Sequence, residues 1–220
     1  MKYRAVIFDL WQTLVPWDQE ESTRFNTEVA RSIGVDPERY LEVWLTGHHL
    51  PSRNNGPAAD HFHALFGELG VDADVEPVLE MRRERARRTL VPRPDALSTL
   101  DELRSRGHLL GMISVCTQDV PEVWDDTPLG GKFDATVFSC DVGVSKPEPR
   151  IYEIACEQLE VEAGECLFVG DGANDELPGA ERAGMDAIQL RAPGERLTSD
   201  GEAWTGRSVE HLSELLELPL

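Results

Sequence analysis

Two carboxylates in the carboxyl-terminal half of the chain are the residues whose types and spacing most clearly indicate a chemical role. Asp171 and Asp175 lie four residues apart in the turn GDGANDEL, directly after the apolar run ECLFVG at residues 165–170. Carboxylates that crowd the end of a strand repel each other unless a cation lies between them. Because Mg²⁺ binds through few carboxylates and keeps several waters, this glycine-rich turn predicts a magnesium site.

A third acid follows the first apolar segment of the chain. Residues 3–9, YRAVIFD, are almost continuously apolar up to Asp9, which is typical of a strand buried on both faces of a parallel sheet. Thr13 places a hydroxyl four residues further along. Ligands of open α/β sheets bind beyond the carboxyl ends of the strands, so Asp9 is predicted to be a nucleophile at that edge.

Two further polar residues occupy comparable places. Ser114 lies near the end of the predicted strand 109–115, LLGMISV. Lys146 lies in GVSKPEPRIYE, just before a helix that begins with proline, and it is one of only three lysines in the chain. The pattern therefore predicts that a hydroxyl and a cation accompany the acids.

These four segments, in this order, resemble the haloacid dehalogenase-like hydrolase superfamily. The resemblance covers residues 1–15 and about 91–190, and GVSKPEPRIY and GDGANDELPGAERAGM carry most of it. It implies an α/β fold: a Rossmann-like three-layer core with a parallel sheet, plus a small α-helical cap inserted after the first motif. It also implies a cytoplasmic, Mg²⁺-dependent phosphatase that hydrolyses a small anionic metabolite through an aspartyl-phosphate.

The resemblance also implies roles for individual residues. The catalytic residues are expected to be Asp9, Ser114 and Lys146. The expected ligands of Mg²⁺ are Asp9, the backbone carbonyl of Trp11, Asp171 and Asp175. The substrate-binding residues are expected to be Thr13, Ser114, Val115, Lys146, His48, His49 and Arg53.

Position 11 departs from the usual phosphatase pattern, in which a second Asp follows the nucleophile by two residues. Here that residue is Trp11, whose indole donates one N–H and cannot take a proton. General acid–base catalysis is typically worth about 10²–10⁴ in rate. Three explanations stay open: a leaving group that needs no proton, slow or absent turnover, or a substitute group from Asp18, His48 or His49.

Two alternatives to a phosphatase follow from Trp11. The 2-haloacid dehalogenases of the superfamily carry an aromatic residue at this position and need no metal, but they usually have a small polar residue in place of Asp171. The retained GD turn therefore favours Mg²⁺ and phosphate. The second alternative is a binding protein that keeps the fold and the metal site but has lost turnover.

Composition limits the partners of the chain. The 220 residues carry 41 acidic and 21 basic side chains, with a net charge of −20, which argues against nucleic acid and anionic membranes as partners. The four cysteines show no metal-binding spacing, so we expect reduced thiols. No leader peptide and no membrane span are predicted, and the sequence does not indicate an oligomeric state.

The hydrophobic pattern predicts two domains, a Rossmann-like core of residues 1–15 and 91–220 and a helical cap of residues 16–90. In the cap, helices are predicted at 19–33, 37–46, 58–69 and 75–90, with a loop at 50–57. In the core, strands are predicted at 109–115, 135–140, 165–170 and 186–190, and helices at 95–106, 147–159, 176–183 and 208–216.

Substrate selection is expected to depend on the cap and the loops that face it. Beyond the residues named above, the candidates are Trp17, Trp44, Asn54 and Asn55. The run MRRERARR at residues 81–88 is interpreted as a solvated helix face paired with nearby acids. The alternative is that one of its arginines guides an anionic substrate into the cleft.

Overall fold

A computed structural model describes residues 2–47, 56–195 and 204–220. Its centre is a six-stranded sheet of order β3-β2-β1-β4-β5-β6 in which every neighbouring pair is parallel. The strands are β1 (Ala5–Asp9), β2 (Leu109–Ser114), β3 (Ala135–Phe138), β4 (Cys166–Gly170), β5 (Asp186–Leu190) and β6 (Ser208–Val209).

Among the described residues, four α-helices follow β1 within residues 16–90, and five more accompany the later strands. The first group is α1 (Gln19–Ser32), α2 (Pro37–Thr46), α3 (Ala58–Leu69) and α4 (Glu76–Thr89). The second group is α5 (Ala96–Ser105), α6 (Asp119–Val123), α7 (Ser139–Val142), α8 (Pro149–Leu159) and α9 (Glu176–Arg182). We call α1 to α4 the helical segment.

The central strands are buried on both faces, as their apolar runs predict. Along β1, Val6 and Phe8 belong to the hydrophobic cluster on one face of the sheet, while Ala5 and Ile7 belong to the cluster on the other. Successive side chains of a strand point to opposite faces, so both layers of helices pack against the same strand. This three-layer arrangement confirms the predicted Rossmann-like α/β fold.

The register of the sheet brings the predicted polar residues to one edge. Asp9 pairs with Ile113, so it lies one residue before the level of Ser114 on β2. On the other side Phe8 pairs with Val169, which places Asp9 beside the end of β4. The carboxyl ends of the three central strands therefore meet where the chemistry was predicted.

The helical segment has a hydrophobic cluster of its own. Its buried members all come from residues 25–78 and include Phe25, Tyr40, Trp44 and Phe62. The division into a core and a helical cap at residues 16–90 stays a prediction, which this separate cluster supports.

Several elements differ from the sequence-based expectations. The helix predicted at 208–216 is wrong: Ser208–Val209 form β6 beside β5, and Leu212–Glu217 form a 3-10 helix. The short helices α6 and α7 were not predicted, because segments of five and four residues carry too little periodicity. Most of the loop predicted at 50–57 lies outside the described residues.

The described part of the chain has no helix that is long and apolar enough to cross a membrane. The four cysteines are all buried and free, in agreement with the expected reduced thiols.

Candidate active site

Lys146 joins two carboxylates at the carboxyl edge of the sheet. Its Nζ donates hydrogen bonds to Asp9 Oδ1 and, at 2.5 Å, to Glu176 Oε2. The three side chains are nearly inaccessible, with exposed fractions of 4, 7 and 2% for Lys146, Asp9 and Glu176. Buried ions of this kind are tolerated only when they are paired and hydrogen-bonded, so the lysine is what holds the two acids together.

Asp171 lies beside this group, at the start of the turn after β4, and accepts three hydrogen bonds. Its Oδ1 accepts from Ala173 N at 3.1 Å and its Oδ2 accepts from Gln12 Nε2 at 2.9 Å. Its backbone carbonyl accepts from Gln189 Nε2 at 2.7 Å. In the same turn Gly172 N donates to Glu176 Oε1 at 3.0 Å. The turn after β4 is therefore organised around fixed carboxylate positions.

Burial shifts the proton affinities of all three acids in the same direction. Burial, with a further contribution from Glu176, raises the pKa of Asp9 to about 7 even though Lys146 opposes the shift. Burial raises the pKa of Glu176 to about 7 and, together with Asp9, that of Asp171 to about 6. Burial alone would lower the pKa of Lys146, but the attraction of Asp9 and Glu176 outweighs it and raises the pKa. One lysine therefore does not offset three acids.

The donor set fits a divalent cation. Carboxylate oxygens of Asp9, Asp171 and Glu176 all lie within 4.8 Å of one another. Asp9 Oδ2 is buried and has no hydrogen-bond partner among the described residues. Hard oxygen donors around an excess of negative charge are what Mg²⁺ prefers. Among the described residues, Asp9 has an unpartnered oxygen, and Asp171 accepts hydrogen bonds only from neutral amide groups. Glu176 already gives one oxygen to the charged Lys146 and the other to Gly172, so Asp9 and Asp171 are the better candidates for ligands.

The structure brings Glu176, and not the predicted Asp175, into this cluster. Asn174 and Asp175 both adopt left-handed conformations, with φ of 52° and 55°, and the chain then enters α9 at Glu176. Glu176 lies so close to Gly170 that a Cβ at position 170 would collide with its carboxylate. The acid directly after Asp175 and the glycine that ends β4 are signals in the sequence that could have identified Glu176.

The predicted hydroxyl groups lie beneath the cleft surface. Thr13 and Ser114 are completely buried, and among the described residues their hydroxyls have no hydrogen-bond partner. Ser114 ends β2 next to Asp9, and Val115, which follows it, lines the cleft. The roles predicted for these residues stay predictions.

Arg93 is a structural support that sequence reasoning missed. Its Nε donates to Thr13 O at 2.8 Å and its Nη2 donates to Gln12 O at 2.6 Å, while Glu195 binds its guanidinium. Gln12 has a φ of 61°, an uncommon conformation for a residue other than glycine. The guanidinium thereby holds the turn that follows the predicted nucleophile.

A cleft of about 680 Å³ lies between the sheet edge and the helical segment. From the core it is lined by Asp9, Val115, Lys146, Asp171 and Glu176. From the loop after β1 and the helical segment it is lined by Trp11, Trp17, Asn26, Trp44, Arg82 and Arg85, among others. Trp11 and Trp17 meet edge to face, with ring centroids 5.5 Å apart. The cleft joins the acids to an aromatic, arginine-bearing wall.

Asp18 has another role than the predicted one. Its side chain accepts a hydrogen bond from Glu21 N at 2.9 Å and caps α1. An aspartate in this position satisfies one of the free N–H groups of the first turn. His48, His49, Arg53, Asn54 and Asn55 lie outside the described residues.

The arginine run of α4 is only in part the paired, solvated face predicted for it. Arg83, Arg85, Arg87 and Arg88 all pair with acids, as expected. Arg82 and Arg85 both line the cleft, and Arg82, which pairs with Asp119, is also buried.

Comparisons with known proteins agree with this geometry. The family model "haloacid dehalogenase-like hydrolase" matches residues 3–184. The chain is 28% identical to a glyceraldehyde 3-phosphate phosphatase of Methanopyrus kandleri over 86% of this chain and 84% of the relative. It is 32% identical to (S)-2-haloacid dehalogenase 4A of Burkholderia cepacia over 87% of this chain and 84% of the relative.

The fold has close counterparts among solved structures. The crystal structure of a HAD phosphatase from Thermococcus onnurineus matches with a TM-score of 0.71 and 27% identity, covering 97% of this chain and 96% of that one. The ordered motifs, the parallel sheet and these matches lead to one conclusion. The chain belongs to the haloacid dehalogenase-like hydrolases, and it is a hydrolase.

Proposed function

We propose that the protein is a Mg²⁺-dependent phosphohydrolase that acts on a small phosphorylated metabolite. The observation that carries the proposal is the surplus of buried carboxylates, Asp9, Asp171 and Glu176, around the single cation Lys146. A site with this charge requires further positive charge before an anionic substrate can approach. The name of the phosphatase relative supports the same substrate class.

Asp9 supplies the nucleophile in this proposal. Its unpartnered Oδ2 attacks the phosphorus atom and the P–O bond to the leaving group breaks. The leaving group departs as an alkoxide or phenolate, which takes its proton from water, and the product on the protein is an aspartyl-phosphate. Lys146 keeps Asp9 Oδ1 fixed during attack and contributes positive charge. When bound by Asp9 and Asp171, Mg²⁺ would neutralise charge on the phosphoryl oxygens. A water molecule then attacks the same phosphorus atom, which releases phosphate and restores the carboxylate.

Proton transfer to the leaving group is a component that position 11 does not supply. The indole of Trp11 lines the cleft where an acid would otherwise stand, and indole cannot give a proton to the leaving oxygen. Among the described acids of the cleft wall, Asp119 is held by Arg82. Burial alone would raise the pKa of Asp119, but the charge of Arg82 and the hydrogen bonds from Thr117 and Arg82 together lower it. Turnover should therefore favour leaving groups that depart without a proton.

A dehalogenase is the second candidate, and Trp11 together with the Burkholderia cepacia relative favours it. In that reaction Asp9 would displace halide from a 2-haloacid without a metal. The negative charges of Asp171 and Glu176 would then repel an anionic substrate in a buried site, where Lys146 would be the one described cation to balance them. This charge balance favours the phosphohydrolase.

One paired assay tests the proposal. Phosphate release from p-nitrophenyl phosphate is measured with Mg²⁺ and with chelator, beside chloride release from 2-chloropropionate. We expect Mg²⁺-dependent phosphate release and no chloride. Metal-independent chloride release would identify a dehalogenase instead. Binding of Mg²⁺ and phosphate without any turnover would identify the non-catalytic binding protein.

A further inference from the structure

Arg82 is fixed in the wall of the helical segment by contacts on two edges of its guanidinium. Nε donates to Asp119 Oδ1 at 3.1 Å, and Nη2 donates to Thr117 Oγ1 at 2.8 Å and Asp119 Oδ2 at 3.4 Å. The rings of Phe25, Trp44 and Phe62 surround the guanidinium carbon, with their centroids 5.9, 5.6 and 5.5 Å away. The side chain is therefore immobilised before any ligand binds.

These contacts leave one nitrogen of Arg82 unused. Nη1 makes no hydrogen bond to any described residue, and it is not among the fully inaccessible unpartnered atoms. Arg82 lines the cleft, so Nη1 is the nitrogen that this residue has available for a ligand there. A guanidinium that is already ion-paired in this way still offers hydrogen bonds in a fixed direction.

Asn26 adds a second unused polar group on the same wall. It lies on α1, is only 6% exposed and lines the cleft. Its Oδ1 is buried without a hydrogen-bond partner in the described parts of the chain. Buried polar groups are nearly always hydrogen-bonded, because leaving one unpaired costs free energy. Because Asn26 as a residue lines the cleft, a rotation of its carboxamide would let a ligand there supply the missing partner.

The wall offers these hydrogen bonds without an unpaired charge. Asp119 offsets Arg82 at 3.1 Å, and Glu21 offsets Arg85, the other described cation of the wall, at 2.9 Å. A second anionic group on the substrate would therefore meet no free cation among the described cleft residues of the helical segment. A hydroxyl or carbonyl group, which can donate or accept, matches the unused groups instead.

We propose that Arg82 Nη1 and the Asn26 amide bind the leaving group and select phosphate esters of small neutral polyhydroxy or carbonyl alcohols. This inference rests on the proposed phosphohydrolase function and narrows it to a substrate class. Esters with a carboxylate would place an unpaired anion against Asp119 and Glu21. Esters with a bare alkyl chain would leave Arg82 and Asn26 unsatisfied.

Three phosphate esters of three-carbon alcohols test the selection with nearly constant size. We would measure kcat/KM with saturating Mg²⁺ for glycerol 3-phosphate, propyl phosphate and 3-phosphoglycerate. The neutral hydroxylated ester is expected to be at least about tenfold better than either of the others, since sites built to hydrogen-bond a hydroxyl discriminate strongly against analogues that lack it.

Asn26→Leu is the decisive variant, because it removes the amide but keeps the branched shape and the number of heavy atoms of the side chain. We expect it to lower kcat/KM for glycerol 3-phosphate about tenfold, mainly through KM, while propyl phosphate hydrolysis stays unchanged. Arg82→Lys, which keeps the charge opposite Asp119 but removes Nη1, should give the same pattern. Thr23→Val is the matched control: Thr23 lines the same wall one turn earlier, but its hydroxyl already binds Gln19 O at 2.9 Å.

The outcomes separate the two levels of the proposal. An equal loss for all three esters in Asn26→Leu would show a merely structural role and overturn the inference while the phosphohydrolase stands. A wild-type preference for 3-phosphoglycerate or propyl phosphate would overturn it as well. Absence of hydrolysis for all three esters and for p-nitrophenyl phosphate, with or without Mg²⁺, would remove the proposed function and this inference with it.

Discussion

The two walls of the cleft treat charge in opposite ways. On the core wall, three buried acids surround one lysine, so negative charge is left over. On the wall of the helical segment, every arginine of α4 has a carboxylate partner. Buried charge is costly unless it is balanced, so an imbalance that persists in a folded protein indicates a site that a cation completes. In the proposed function, the core wall carries the chemistry and the wall of the helical segment selects the substrate.

The largest expected effect comes from removing the nucleophile. Asp9→Asn should lower Mg²⁺-dependent phosphate release at least about 10³-fold, because an amide cannot form the aspartyl-phosphate. Its thermal unfolding temperature should not fall, since a buried negative charge is removed from a site with too many. Asp175→Asn is the control and should keep most activity. Full activity in Asp9→Asn would refute the assignment of chemistry to the core wall.

An acid at position 11 should add the missing proton donor to the core wall. Trp11→Asp supplies a proton donor beside the nucleophile. Such a donor raises the rate by about 10²–10⁴ when leaving groups are poor. We expect turnover of alkyl phosphates to rise by about 10² relative to aryl phosphates, whose leaving groups need little protonation. The ratio of kcat values for propyl and p-nitrophenyl phosphate measures this. Equal gains for both, or none, would mean that proton transfer is not the missing component.

Glu176 and Asp175 form a natural pair for testing which acid serves the site. Glu176→Gln leaves Lys146 with Asp9 as its sole carboxylate partner and should weaken Mg²⁺ binding about 10- to 100-fold, as loss of an outer partner of a metal site usually does. Calorimetric titration with Mg²⁺ measures the effect. Asp175→Asn should change affinity by about twofold or less. The reverse order would restore the sequence-based choice of Asp175.

The stabilisation of the fold by Mg²⁺ should depend on pH, because the pKa values of the acids on the core wall are raised. Without metal, the pKa is about 7 for Asp9 and Glu176 and about 6 for Asp171. In the unfolded chain the pKa values of these groups are about 4. The folded state therefore holds protons that the unfolded state has released, and these acids make unfolding easier as the pH rises from about 4 to 7.

Saturating Mg²⁺ should consequently raise the thermal unfolding temperature more at pH of about 8 than at about 5, because protons compete for the same oxygens. Differential scanning fluorimetry at both pH values measures this difference. In Asp171→Asn the difference should shrink. An increment that is independent of pH would show that Mg²⁺ does not bind at these carboxylates.

The sequence predicted the central elements well where pattern and local chemistry agree. Continuous apolar runs gave β1 and β4, and helical periodicity gave the bounds of α2 and α3 without error. The edge strand of the sheet was harder to predict. Residues 208–216 carry an apolar periodicity, but pairing with β5 makes Ser208–Val209 a strand. Pairing of distant segments is not encoded in local periodicity.

The candidate site could likewise be predicted from the sequence only in part. Asp9, Lys146 and Asp171 follow from motif order, and the sheet register brings them together. Glu176 was missed because two successive left-handed residues turn its side chain, and not that of Asp175, toward Lys146. The supports from Gln12, Gln189 and Arg93 join residues far apart in sequence, and single-residue chemistry gives no signal for such contacts.

Chemical trapping of the intermediate tests the central claim most directly. The protein is mixed with p-nitrophenyl phosphate and Mg²⁺, quenched in acid and reduced with borohydride, which converts an acyl phosphate to an alcohol. Peptide mass spectrometry should then recover homoserine at position 9 in the Mg²⁺ sample and unchanged Asp9 in the chelator control. Phosphate release with Asp9 unmodified in both samples would contradict the account.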